Sequence, residues 1–315
     1  MFKEGKVFWM RLFGFILFVF LIDVLAGKIF FQLENKALKN SPFAMVSEYT
    51  MWEVDKEVIL IGASETTHGL VPSVLQDSLD MSVYNCGKDG YRFHYQSSMI
   101  DGILKRYSPK LIIWSVSSSF LSRPSENDID RLSNLNVFYH NNDYIKRIIN
   151  NNKGPYENYK LNSQLYTYNS RLMPYLYKII SNDYSFEKGG FAPLINKGNV
   201  YPEKQYSNIE DNLDNEVAEL FTITLEKLKA AGTKVVLLFP PRLQISNFKS
   251  TTQYNELKRI AEKFDTPIID KFYNHKDFIN DSTMFKDIGH LNKTGAHKFS
   301  GLISSELKNL IIDKQ

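Results

Sequence analysis

VILIGASETTHGLVPSVL, residues 58–75, is the stretch from which the rest of the chain is read. Val58–Ile61 is an unbroken apolar run, the pattern of a short strand buried on both faces. Gly62 and Ser64 follow, and Pro72 opens a helical segment. A strand that runs through a glycine and a serine into a helix begins an alternating α/β chain, and it sets Ser64 at the strand's carboxyl end. A serine there either caps a helix or serves as a nucleophile, and the second role needs a base from elsewhere in the chain.

Outward from this stretch the alternation continues. Strands are expected at Glu57–Gly62, Ser82–Cys86, Lys110–Val116, Thr233–Phe239 and Pro267–Asp270. Helices are expected at Pro72–Leu79, His94–Tyr107, Glu216–Ala231, Tyr254–Phe264 and Lys293–Ile311, where apolar residues recur at helical spacing. Gly232 stops the fourth of these helices. Strands alternating with helices imply an α/β fold, a five-stranded and mainly parallel sheet covered on both faces in three layers. Such sheets carry their sites at the carboxyl ends of the strands. Residues 121–214, rich in Asn, Tyr and Ser, break the pattern and are too long for an ordinary loop. They read as a partly helical insertion with a substrate-binding role or as an irregular excursion.

The N-terminus begins with Lys3, Lys6 and Arg11 and runs apolar from Leu12 to Ile22, with Asp23 interrupting and Lys28 closing the stretch. Val7–Phe31 is long enough to cross hydrocarbon at ~1.5 Å per residue. Basic residues before the segment predict the N-terminus inside and the main domain on the extracytoplasmic side. The rival reading is a cleaved signal segment with Val24 and Ala26 before the cut. The chain therefore divides into 1–31 (transmembrane anchor or signal segment), 32–56 (connector) and 57–315 (α/β domain with its insertion).

Composition narrows the function classes. A net charge of +3 with no long basic block gives no case for nucleic acid, which needs clustered cations. The single cysteine, Cys86, excludes a disulfide framework and a cysteine zinc site. No ligand spacing calls for a metal, and no motif calls for a cofactor. The many Tyr and Asn residues suit contact with sugar hydroxyls and equally suit ordinary loops.

Six histidines could serve Ser64 as base: His68, His94, His140, His275, His290 and His297. FKDIGHLNKTG, residues 285–295, places Asp287 three residues before His290 in a loop ahead of the last helix. That spacing lets the carboxylate fold back on one imidazole nitrogen and leaves the other for Ser64, the division of roles in a hydrolytic triad. Gly289 is expected to allow the tight turn. His68, one helical turn past Ser64, is the competitor, but no carboxylate stands at an orienting spacing from it.

Together these phrases resemble the SGNH hydrolase superfamily, the GDSL-like lipases and esterases. The resemblance covers residues 57–116 and 233–311. The family's first block is matched by Gly62–Ser64, its second by YNCGKDGYRF (residues 84–93) with Gly90 as the oxyanion glycine, and its last by Asp287 and His290. The resemblance implies Ser64, Asp287 and His290 as catalytic residues and the amides of Ser64 and Gly90 as oxyanion donors. Where the family has an asparagine this chain has Ser119, and before the nucleophile it has Ala63 in place of aspartate. Asn85 and Arg242 lie at the same sheet edge and are read as substrate-binding residues, with Asn85 alternatively holding the second block's turn in shape and Arg242 alternatively an ordinary surface arginine. The layout is also similar to the membrane-anchored branches, the D-alanyl transfer and alginate O-acetylation proteins. That implies acyl-ester chemistry on a cell-envelope glycan or lipid, by hydrolysis or by O-acyl transfer. A glycan-binding or assembly protein that keeps the fold without catalysis is the third alternative.

Overall fold

The computed structural model describes residues 2–181, 185–195, 206–243, 245–273 and 275–312. Its sheet is built as the apolar runs require. β1 (Val58–Ile61), β2 (Val83–Asn85), β3 (Leu111–Ser115), β4 (Lys234–Leu238) and β5 (Ile268–Ile269) lie in the order β2-β1-β3-β4-β5. All four pairings are parallel, with Val58 opposite both Val83 and Leu111, Leu111 opposite Lys234, and Leu237 opposite Ile268. Each strand is one residue shorter at both ends than the segment expected for it, because the flanking residues turn into the connecting loops.

Both faces of the sheet are covered, so neither row of alternating side chains meets water. On one face Val58, Leu60, Ile113 and Leu238 pack with Leu70, Leu75, Phe299, Ile303 and Leu307. On the other, Trp114 meets Phe93, Phe120 and Phe221 with ring centroids 5.8, 5.2 and 5.6 Å away. The indole N–H of Trp114 donates to the Gln96 side-chain oxygen at 2.7 Å, which satisfies the one polar atom in this aromatic cluster.

The helices that cover these faces are Pro72–Leu79, Phe93–Leu104, Asn215–Ala230, Thr252–Lys263 and Lys293–Ile312. Asp214 caps the third of them by accepting from the Val217 amide at 3.0 Å. Gly232 ends it at φ +71°, a left-handed conformation that favours glycine.

By its contacts the chain divides into two units. One holds the sheet and comprises Phe43–Asp128 and Asp183–Gln315. The other is helical and comprises Met1–Pro42 and Ile129–Asn182. The N-terminal helix runs unbroken from Phe2 to Asn40, so the connector expected from residue 32 starts as a continuation of that helix. Nothing between Lys28 and Asn40 breaks a helix, since no Pro or Gly occurs there. The helix is long and apolar enough to cross a membrane. Residues 129–182, most of the expected insertion, are largely helical, with segments at Asp143–Lys153, Gln164–Tyr168 and Leu172–Ile180.

Phe221 is fully buried at the centre of the aromatic cluster. Phe221→Ala is expected to lower the unfolding free energy by about 3–5 kcal/mol, through lost transfer energy and the cavity left behind. Denaturant melts of the two proteins measure the difference.

Candidate active site

The loops after β1, β2, β3 and β4 leave the same edge of the sheet. β1 leads through Gly62 and Ala63 directly into the short helix Ser64–Gly69. Gly62 is glycine because of crowding: a Cβ there would overlap the Thr66 hydroxyl and stand 2.9 Å from the Ser115 Cβ. The tight exit presents Ser64 in the first turn of the helix, where amides lack intrahelical acceptors.

The residues from Phe285 to Leu291 form the loop that meets Ser64. Phe285 bridges Leu291, and the Lys286 amide donates to the His290 carbonyl at 2.9 Å. Inside the loop Asp287 Oδ1 accepts from the amides of Gly289 and His290 at 2.8 and 2.9 Å. Both Asp287 oxygens lie 2.9 Å from His290 Nδ1. A carboxylate only accepts here, so the proton sits on Nδ1, and Nε2 is left with its lone pair. Ser64 Oγ lies 2.7 Å from that Nε2 and donates to it. Burial works to raise the Asp287 pKa, but the Gly289 amide, the imidazole and the His290 amide together hold it below the ordinary carboxylate value. Asp287 is thus kept as an anion.

Gly289 lies in the tight turn expected of it, and takes that turn without a positive φ. A Cβ there would stand 2.9 Å from a terminal nitrogen of Arg242, the movable end of that side chain. The Leu243 amide donates to the Ile288 carbonyl at 3.1 Å, which fastens the loop after β4 to the histidine loop and seats the guanidinium on it. Arg242 Nε is buried and has no hydrogen-bond partner among the described residues.

Asn85, expected to meet substrate, is instead fully buried. Its amide donates to the carbonyls of Thr66 and Leu70 at 2.7 and 2.9 Å, and its oxygen accepts from the Gly87 amide at 2.9 Å. With its donors and acceptor committed, Asn85 holds the loop after β2 against the serine helix and has nothing left for a ligand. Gly90 turns that loop at φ +75°, a conformation suited to glycine. Ser119 lies in the turn after β3, its hydroxyl 3.3 Å from that of Ser117.

The pair that sequence reasoning missed is His68 with Asp89. His68 Nε2 lies 2.8 Å from an Asp89 oxygen, and Nδ1 lies 2.7 Å from the Ala192 carbonyl. Both neighbours accept, so both nitrogens carry protons and the ring is an imidazolium. Burial opposes that charge, but Asp89, the Ala192 carbonyl and Asp287 raise the His68 pKa above its ordinary value. Burial likewise pushes the Asp89 carboxyl upward, while the hydrogen bonds and charge of His68 bring it below the usual range. The two imidazoles of His68 and His290 stand edge to face, 6.0 Å between centroids. The expectation that His68 lacks a carboxylate is therefore corrected. Its partner is 21 residues away, across β1 and β2, where local spacing carries no signal.

Among the remaining histidines, His94 is buried, His140 contacts the Leu161 carbonyl at 2.9 Å, and His275 accepts from the Asp277 amide. None of these contacts brings them to Ser64. Among the described residues no group of three or more His, Cys, Asp or Glu side chains could hold a metal ion.

No protein-family profile matches the chain, and no curated protein does. Among solved structures the chain is similar to the psychrotrophic esterase EstA from Pseudoalteromonas sp., in a structure inhibited by monoethylphosphonate. The identity is 11%, the match covers 81% of this chain and 97% of that one, and the TM-score is 0.41. It is also similar to an acetyl xylan esterase, AlAXEase, at 13% identity, with 81% and 98% of the two chains covered and a TM-score of 0.38.

The His68–Asp89 pair carries a pH signature in stability. A depressed carboxyl stabilises above its unfolded pKa, and that contribution is lost as pH falls through the lower folded value. A raised imidazole stabilises fully below its unfolded pKa, and that contribution is lost as pH rises through the higher folded value. The melting-temperature deficit of Asp89→Asn is therefore expected to be greatest between roughly pH 4 and 6.5 and to shrink on either side. Thermal melts of both proteins across that range test it.

Proposed function

We propose that this protein is a serine-dependent acyl-ester hydrolase of the SGNH type, with Ser64 as nucleophile, His290 as general base and Asp287 as its orienting anion. The observation that carries the reading is the continuous relay from the Ser64 hydroxyl through His290 to Asp287, with contacts of 2.7 and 2.9 Å. A helix-capping serine needs no such partner; an activated one does.

In this reading Ser64 Oγ attacks the ester carbonyl carbon as its proton passes to His290 Nε2. The carbonyl π pair moves onto oxygen, and the amides of Ser64 and Gly90, with the Ser119 hydroxyl, receive the charge. Collapse breaks the C–O bond to the alcohol, which leaves with the proton held on His290. Water gives a proton to His290 as it attacks the acyl-serine; the acyl C–Oγ bond then breaks, His290 returns that proton to Ser64 Oγ, and the carboxylic acid departs. Asp89 directly precedes Gly90, and an unbalanced carboxylate there would oppose the developing oxyanion. His68 as an imidazolium cancels that charge and ties the oxyanion loop to the serine helix. Arg242, with its buried and unpartnered Nε, would receive an anionic group of the substrate.

The substrate class in this reading is an acylated glycan or lipid of the cell envelope, with the N-terminal segment in the membrane and the sheet-bearing unit on the extracytoplasmic side. The basic residues Lys3, Lys6 and Arg11 ahead of the apolar helix support that sidedness. Transfer in place of hydrolysis requires only that a sugar hydroxyl replace water in the second half-reaction. One observation favours a glycan-binding protein without catalysis: the serine at 119 where the family's asparagine stands.

A fluorophosphonate probe separates the readings, since a reactive Ser64 becomes labelled and an inert one does not. Ser64→Ala is expected to abolish labelling and to lower hydrolysis of a short-chain nitrophenyl ester by a factor on the order of 10⁴–10⁶. Wild-type protein that neither labels nor hydrolyses removes the esterase reading. Arg242→Ala is expected to raise KM several-fold for esters bearing a carboxylate or phosphate, with neutral esters changed little; equal effects on both would remove the anion-binding role.

A further inference from the structure

The apolar N-terminal helix contains an ionisable residue whose partner is in the structure. Asp23 accepts from the Ser163 hydroxyl at 2.7 Å and from the amides of Gln164 and Leu165 at 2.8 and 2.9 Å. It thereby satisfies the first turn of the short helix Gln164–Tyr168. One turn further along the N-terminal helix, a Cβ on Gly27 would stand 2.6 Å from the Gln164 side chain, so glycine is what lets the two segments meet. Phe30 then stands 5.6 Å from the ring of Tyr168, and buried Glu34 accepts from the Tyr168 hydroxyl at 3.2 Å. Ala37 is fully buried. The residues 23, 27, 30, 34 and 37 form one stripe at steps of four and three, the spacing of a helix face packed on protein. Before Asp23 the surface is different: Phe8, Trp9, Phe13, Phe15, Phe18 and Phe20 are all at least 60% exposed.

Lengths set the depth at which that stripe begins. From Lys6 to Asp23 the helix rises about 25 Å, short of the ~30 Å of bilayer hydrocarbon. From Lys6 to Lys28 it rises about 33 Å, which matches. A bilayer bounded by the two lysines would place Asp23 about 7 Å inside one hydrocarbon edge and Arg11 at a like depth from the other, where its long side chain reaches back to the interface. An unpaired carboxylate at that depth is costly, and here three donors from one turn satisfy it. The donors must then lie at the same depth as the carboxylate. Leu165, in that turn, is 45% exposed, and Tyr159, one turn before Ser163, is 69% exposed. An exposed leucine and tyrosine beside a membrane helix are the side chains that settle at the headgroup boundary.

We propose that the turn Ser163–Leu165, fastened to Asp23, is seated in the edge of the lipid bilayer that the N-terminal helix spans. The helix is then a retained anchor, and the unit built on it has a lipid-facing surface. Cleavage after Ala26 would remove Asp23 and expose the amides it satisfies. The inference rests on the helix spanning a membrane and is independent of the chemistry at Ser64.

The full chain in phosphatidylethanolamine–phosphatidylglycerol nanodiscs tests this. Cys86 is buried and is the only cysteine, so a cysteine introduced at the surface can be labelled alone. An environment-sensitive fluorophore at Leu165→Cys or Tyr159→Cys is expected to shift to the blue and to lose most of its emission to shallow spin-labelled lipid. The control is Tyr177→Cys, 58% exposed in the segment whose Ile179 carbonyl accepts from Asn40 at the far end of the N-terminal helix. Its emission is expected to be unaffected. Absence of quenching at 159 and 165, or equal quenching at 177, overturns the proposal. The intact mass of protein extracted from cell membranes is expected to include residues 1–26, and a chain beginning at Gly27 overturns retention of the anchor.

Discussion

A parallel sheet buried on both faces can offer functional side chains to solvent only at its ends. The sites of this chain follow from that constraint. Val58–Ile61 is wholly buried, so the first residue of β1's connection able to do chemistry is the one just past the turn, Ser64. The loops after β2 and β4 leave by the same edge, the first meeting the serine helix and the second the histidine loop. Gly62 lets the serine helix lie close to Ser115, and Arg242 rests beside Gly289 on the turn that carries Asp287 and His290.

Electrostatics then separates two histidines that look alike. His290 has one acceptor and one hydroxyl as neighbours, so Nδ1 carries a proton and Nε2 faces a group that can give one. His68 has acceptors on both sides, so its ring is charged. A charged ring cannot accept a proton, which removes His68 as a base and gives it to the structure, where it balances Asp89 and joins the loop after β2 to Ala192. The two rings stand 6.0 Å apart, edge to face, at the same end of the sheet.

The helical unit obeys a different constraint. A residue such as Asp23 is expensive in an apolar helix and is tolerated because Ser163, Gln164 and Leu165 meet it with three donors. The same interaction marks where the helix surface changes from bare to packed. One carboxylate therefore ties the apolar N-terminal helix to the segments packed on it.

The strand-and-helix order was legible in the chain because burial on both faces demands continuous apolar runs such as Val58–Ile61 and Leu111–Trp114, and covering helices demand apolar residues at helical spacing. The relay of Ser64, His290 and Asp287 was legible in part, since the orienting carboxylate lies three residues from its histidine and short-range geometry leaves traces in sequence. The rest was settled by folding. Asn85 reads either as a substrate contact or as a brace for its turn, and only its burial against Thr66, Leu70 and Gly87 decides for the brace. His68 reads as lacking a carboxylate, and only the pairing of β1 with β2 brings Asp89 to it. Asp23 reads as an interruption, and only a turn some 140 residues later explains it. Periodicity and local spacing are written along the chain, whereas the charge state of an imidazole or the cost of a carboxylate depends on what distant segments place beside it.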